Sequence, residues 1–126
     1  MQNTSNLLDA VQVYFDALYE CDIVKLNAVF HETSSLFDAD NGKIFAEPIE
    51  SFSRDVSTRT SPASKKQERE EEILMIDYLS PISATVKIRL RAHQSVFVDH
   101  LGFVLGENGW KIVSKIWHLE RTVEIA

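Results

Sequence analysis

Apolar residues recur at spacings of three and four through the first thirty positions, and at spacings of two from about residue 71 onward. Leu7, Leu8, Val11, Tyr14, Phe15 and Leu18 make one stripe, with Asp9, Gln12, Asp16 and Glu20 opposite, the pattern of an amphipathic helix. Ser5 or Asn6 can cap its start, since a short side-chain oxygen satisfies an orphan N–H there. The stripe breaks at Cys21-Asp22, and Asp22 can cap a shorter helix carrying Val24, Leu26, Val29 and Phe30. The spacing predicts helices over 5–20 and 23–31.

Two short runs, Ser35–Asp38 and Lys43–Ala46, flank Asn41-Gly42, a hairpin signal because both turn residues tolerate positive φ. Pro48 suits the first turn of a third helix, with Ile49, Phe52 and Val56 at helical spacing. The polar stretch from Ser57 to Lys66 reads as a mobile loop. Beyond it, Ile73–Tyr78 forms a strand, and Ala84, Val86, Ile88, Leu90 and Ala92 alternate with polar neighbours in a half-buried one. Val96–Leu105 is apolar on both faces, as a central strand would be, and the turn Gly106–Gly109 leads into a last strand, Trp110–Leu119. Helices first and an antiparallel meander afterwards predict an α+β fold, with residues 1–126 forming one domain.

Charge narrows the partners. The net charge of −6 gives no basic face to displace counterions from phosphates, so no nucleic-acid partner is expected. The basic cluster at Lys65-Lys66 runs straight into Glu70-Glu71-Glu72 and is largely cancelled. No apolar run approaches the roughly 20 residues of a spanning helix, so no membrane association is expected. Residues Met1–Asn6 lack the basic and apolar regions of a secretory leader, and Cys21 stands alone, so the cytoplasm is the expected compartment. His31, His93, His100 and His118 show no ligand spacing on one element; neither metal nor cofactor is expected.

With those elements in place, Tyr14-Phe15-Asp16-Ala17-Leu18-Tyr19-Glu20-Cys21-Asp22, followed by Leu26 and Val29-Phe30-His31, resembles the opening helices of the nuclear transport factor 2-like superfamily, "Y-x-x-A-L-x-x-G-D…F". The tail, Val98-Asp99-His100-Leu101 and then Gly109–Trp117, resembles "D-x-L-x-L-x-x-x-x-G-x-W-K-I-V-x-K" and is most like the branch labelled putative lumazine-binding. The resemblance covers nearly the whole chain. It implies a cone: about three N-terminal helices packed on a curved, mostly antiparallel sheet that encloses a pocket. Fold alone does not fix activity, and the superfamily holds isomerases, cyclases, dehydratases and transport factors.

Laid beside bacterial ketosteroid isomerases, the chain aligns without a gap from Val11 to Asp38. The resemblance then implies Tyr14 as an oxyanion-hole phenol, Asp38 as general base and Asp99 as the protonated acid opposite the enolate oxygen. Asp99 shares a strand face with Phe97, Leu101, Phe103 and Leu105, where a carboxylate is costly unless neutral or well paired. Each residue has a plainer reading. A tyrosine on an apolar stripe belongs to a core, an Asp before a turn bonds local N–H groups, and an acid in such a strand can be a structural partner.

Three functions stay open on these residues. The first is a small-molecule binder, its pocket lined by Phe15, Phe37, Phe52, Phe97, Leu101, Phe103 and Trp117 and suited to a flat or apolar ligand. The second is a cofactor-free proton-transfer enzyme of the ketosteroid isomerase or polyketide cyclase kind, using Tyr14, Asp38 and Asp99. The third is an interaction module with a vestigial pocket. A homodimer is expected for any of them, because the doubly apolar strand around Val98 needs cover on its second face.

Overall fold

The computed structural model describes residues 4–124. Three helices, α1 (Leu7–Glu20), α2 (Ile23–Val29) and α3 (Ile49–Ser57), alternate early with two strands, β1 (Phe30–Asp38) and β2 (Phe45–Pro48). A meander follows: β3 (Glu71–Ser80), β4 (Ser83–Ala92), β5 (Ser95–Gly106) and β6 (Gly109–Thr122). The six strands form one sheet in the order β2-β1-β6-β5-β4-β3. Every pairing is antiparallel except β1 with β6, which run parallel.

Local chemistry sets the element ends. The Asn6 side chain accepts from the Leu8 N–H, so α1 begins at Leu7 and Asn6, not Ser5, is the cap. Asp22 accepts from the Val24 and Lys25 N–H groups and starts α2. That helix stops at Val29, short of the predicted 31, because Phe30 turns extended and opens β1. Pro48 closes β2 and caps α3 from outside; its fixed φ suits the junction, one step before the first helical turn.

The core lies between the helices and the inward face of the sheet. Val11, Tyr14, Leu26, Val29 and Val56 from the helices meet Val86, Ile88, Leu101, Phe103 and Ile112 from the strands, all at most 1% exposed. At this burial each large apolar side chain contributes about 1.5–3 kcal/mol relative to exposure. At one end of the sheet the chain before α1 is strapped down. The Trp110 N–H donates to the Thr4 carbonyl over 2.7 Å, and Gly109, at φ +99°, sits directly against Thr4.

The polar 57–66 stretch, predicted to be mobile, is tied to the meander. His93 Nε2 bonds the Thr60 carbonyl at 2.8 Å, and its backbone N–H donates to Gln67 Oε1 at 2.7 Å. Tyr19 Oη donates to the Gln67 carbonyl at 2.6 Å from α1. Long-range anchors of this kind cannot be read from a run of Ser, Thr and Lys.

One irregularity in β6 decides what the sheet presents inward. Phe103 pairs with Ile112 and Gly102 with Ser114, so Val113 is an extra residue, a β-bulge. Strict alternation from Trp110 and Ile112 would send Ser114 and Ile116 inward. Past the bulge the parity changes: Lys115 lies opposite buried Leu101 and Trp117 opposite buried Asp99, while Ile116 is 58% exposed.

Candidate functional site

Between α3, the 58–62 loop and the ends of β4, β5 and β6 lies a cavity of about 300 Å3. Its walls are apolar and aromatic: Phe52 from α3, Leu90 from β4, Phe97 from β5 and Trp117 from β6. Phe97 and Trp117 meet edge to face, ring centres 5.9 Å apart at 78°. Arg59, Thr60 and His93 stand among the lining groups, the Arg59 guanidinium 5.3 Å over the Phe52 ring. Asp99 and Lys115 are the deeply buried polar groups that line it.

Beneath the cavity, α1 and the sheet bring three polar groups together. Tyr14 Oη, fully buried, donates to Asp99 Oδ2 at 2.5 Å. Lys115 Nζ lies 3.8 Å from the same oxygen, its side chain 7% exposed. The other oxygen, Asp99 Oδ1, is buried with no hydrogen-bond partner. A buried acceptor left unmade costs about 1–3 kcal/mol, and this one belongs to a residue that lines the cavity.

Burial pushes the Tyr14 phenol well above its ordinary value, and the neighbouring Asp99 charge and hydrogen bond push it further the same way. The phenol is a proton donor at every physiological pH. Burial also pulls the Lys115 ammonium below its ordinary value, against an opposing pull from Asp99. Cys21 lines the cavity too, but burial raises its thiol, which keeps it a poor nucleophile.

The residues marked from sequence divide among four places. Asp99, Phe52, Phe97 and Trp117 line the cavity, and Tyr14 supports it from below. Phe15, Leu101 and Phe103 face inward as expected, yet they are not cavity walls; they belong to the solid core where α1 fills the far end of the sheet. Phe37 is not a pocket residue at all. Its strand neighbour Leu36 takes the inward position, leaving Phe37 on the outer surface beside Ile116, 37% exposed.

Asp38 is half-buried at the end of β1, outside the cavity lining, and its Oδ2 accepts from the Asp40 N–H at 3.1 Å. It is tied into the hairpin turn. The second carboxylate that lines the cavity is instead Glu47 of β2, whose Oε2 accepts from Ser51 Oγ at 2.9 Å. Sequence reasoning missed Glu47 because β2 is only four residues long and shows no alternation. It missed Lys115 because the bulge reverses the face that alternation assigns.

Three of the four histidines serve separate local bonds: His31 with Thr33, His93 with Thr60 and His118 with Asp40. Among the described residues no group of three or more His, Cys, Asp or Glu side chains converges.

A family model described as "Putative lumazine-binding" matches residues 2–118. Among solved structures, a nuclear transport factor 2-like protein of unknown function from Shewanella baltica superposes with a TM-score of 0.81 at 20% identity, covering 92% of each chain. Another of unknown function, from Silicibacter pomeroyi, gives 0.75 at 19% identity over 90% of this chain and 92% of that one. A ketosteroid isomerase-like protein from Erwinia carotovora atroseptica gives 0.65 at 11% identity over 88% and 91%. At these identities the likeness concerns the fold, which is nuclear transport factor 2-like. No curated protein matches the chain significantly.

Proposed function

Because the chain belongs to the "Putative lumazine-binding" family, we propose that it binds a small planar molecule in the ring-walled cavity through an N–H or O–H group of the ligand. The observation that carries this reading is Asp99 Oδ1, a buried acceptor without a partner beside an open cavity. A ligand donor there removes a standing cost and gains a charge-assisted bond, while Phe52, Phe97 and Trp117 supply flat apolar contact. At about 300 Å3 the space lies at the lower end of ligand pockets, suited to one or two fused rings. Lumazine, a flat bicycle with ring N–H groups, is the natural probe.

Calorimetric titration with lumazine should give saturable one-site binding. The Asp99→Asn protein should keep measurable affinity, because a carboxamide oxygen still accepts. Trp117→Leu should weaken binding by about tenfold, the order of one aromatic contact beyond its area. No saturation by wild-type protein up to the solubility of lumazine would reject the reading.

The proton-transfer alternative keeps one support: Tyr14 and Asp99, the two oxyanion-hole groups that the isomerase resemblance implies, meet in a 2.5 Å bond. Against it stands Asp38, held by the Asp40 N–H and outside the cavity lining. A base in this cavity would have to be Glu47, a different arrangement. The interaction-module alternative needs no cavity, and an open one favours binding.

Self-association belongs to the same proposal. Phe37, Ile116, His100, Lys87 and Met75 lie in register across the outer face of four adjoining pairings, with Phe37, Ile116 and Met75 between 37% and 58% exposed. A second copy covering this row accounts for apolar groups that water would otherwise meet. Light scattering at micromolar concentration should return the dimer mass; a monomer mass removes the claim.

A further inference from the structure

Lys115 is the deeply buried cavity group that the binding reading leaves unused. Among the described residues its Nζ makes no hydrogen bond, and Asp99 Oδ2, its ionic partner, is 3.8 Å away and already accepts from Tyr14. Two ring faces pack against it, Phe52 with its centre at 4.7 Å and Tyr14 at 5.3 Å, and the charges of Arg59 and Glu47 in the same cavity also act on it. A lysine that only neutralised Asp99 would close to hydrogen-bond length. This one stops short, with its amine on the wall of a cavity.

The backbone points the same way. Regular alternation would have given the cavity wall Ile116, a side chain suited to an apolar pocket, and left Lys115 outside. The Val113 bulge reverses that choice. Bulges gather next to reactive sites because they re-aim a side chain. An amine desolvated in an apolar pocket spends more time neutral, with a free lone pair, than one in water.

We propose that Lys115 captures a ring-bearing aldehyde or ketone in the cavity as an imine, so that the ligand class of this site includes carbonyl compounds. The proposal rests on the cavity being a ligand site, as argued above. In the step, the Nζ lone pair forms a bond to the carbonyl carbon, and the C=O π pair moves to oxygen, which takes a proton. The carbinolamine then expels that oxygen as water while nitrogen gives up its remaining exchangeable proton. One C=N bond and one water result, with no oxidant or reductant. Asp99 Oδ2 is the carboxylate oxygen close enough to receive and return the proton, and the Tyr14 bond holds it in place.

The test uses 2-naphthaldehyde with sodium cyanoborohydride, followed by peptide mapping, and in parallel 2-naphthalenemethanol, which fits the same space but cannot condense, followed by tryptophan fluorescence. The expected result is reductive labelling of Lys115 about tenfold faster than of any other lysine, slowed by excess alcohol. Lys115→Arg and Lys115→Met should lose the fast label, and the slowing by alcohol in wild-type protein stands as evidence even if either variant folds poorly. Saturable quenching by the alcohol with labelling spread evenly over Lys43, Lys65 and Lys66 overturns the imine and leaves the pocket reading intact. No quenching and no selective label overturns both.

Discussion

Asp99→Leu is expected to lower folding stability by about 3–5 kcal/mol, the cost of leaving one member of a buried ion pair alone. Two groups lose their partner at once: the Lys115 ammonium at 3.8 Å and the Tyr14 hydroxyl at 2.5 Å. The double variant Asp99→Leu/Lys115→Met should recover most of the loss, because a buried pair replaced by packed apolar groups is often neutral or better. Its residual deficit, about 1–3 kcal/mol for an orphaned hydroxyl, should disappear when Tyr14→Phe is added. Urea denaturation across the series measures all three steps, and none of these proteins should bind lumazine. An Asp99→Leu protein as stable as wild type would mean there is no ion pair to break.

The second large effect sits far from the cavity. Gly109→Ala places a Cβ 2.4 Å from Thr4 Oγ1 and 2.7 Å from the Thr4 carbonyl oxygen, at a residue whose φ is +99°. The conformation alone costs about 1–3 kcal/mol for a residue with a side chain. Overlap with backbone atoms adds a comparable amount. Relief requires the Thr4 segment to move, which sacrifices its bond to the Trp110 N–H. Gly106→Ala is the control, since a Cβ there meets nothing within 4 Å. Thermal unfolding should separate the two variants clearly; equal melting temperatures would show that the strap carries no stability.

What could be read from the chain, and what could not, follows from periodicity. Asp99 stood out because it shares a strand face with Phe97, Leu101, Phe103 and Leu105 in a run apolar on both faces, so a charged residue there was visible as an anomaly. Tyr14 was legible as an inward residue for the same reason on a helix, though not that its hydroxyl meets Asp99, a contact between residues 85 apart. Leu101 and Phe103 were assigned the correct face but the wrong height. Pattern tells which side of a sheet a residue serves, not whether a helix or a void lies above it. Phe37 failed where pattern was too short, since Leu36-Phe37 is apolar on both sides and only the pairing with β6 decides between them. Asp38 lay in an ambiguous place, strand and turn at once, and the turn's N–H took it.

The extra residue in β6 also sets the rules for anyone redesigning this protein. Substitutions at Lys115 and Trp117 rewrite the interior chamber, whereas Ser114, Ile116 and His118 print on the outer skin. An engineer who counts every second residue from Trp110 would edit the wrong surface from Ser114 to Leu119, before a second extra residue, Glu120, restores the parity. The cavity wall and the outer face can therefore be altered from neighbouring codons with little crosstalk, provided the count restarts after Val113 and again after Glu120.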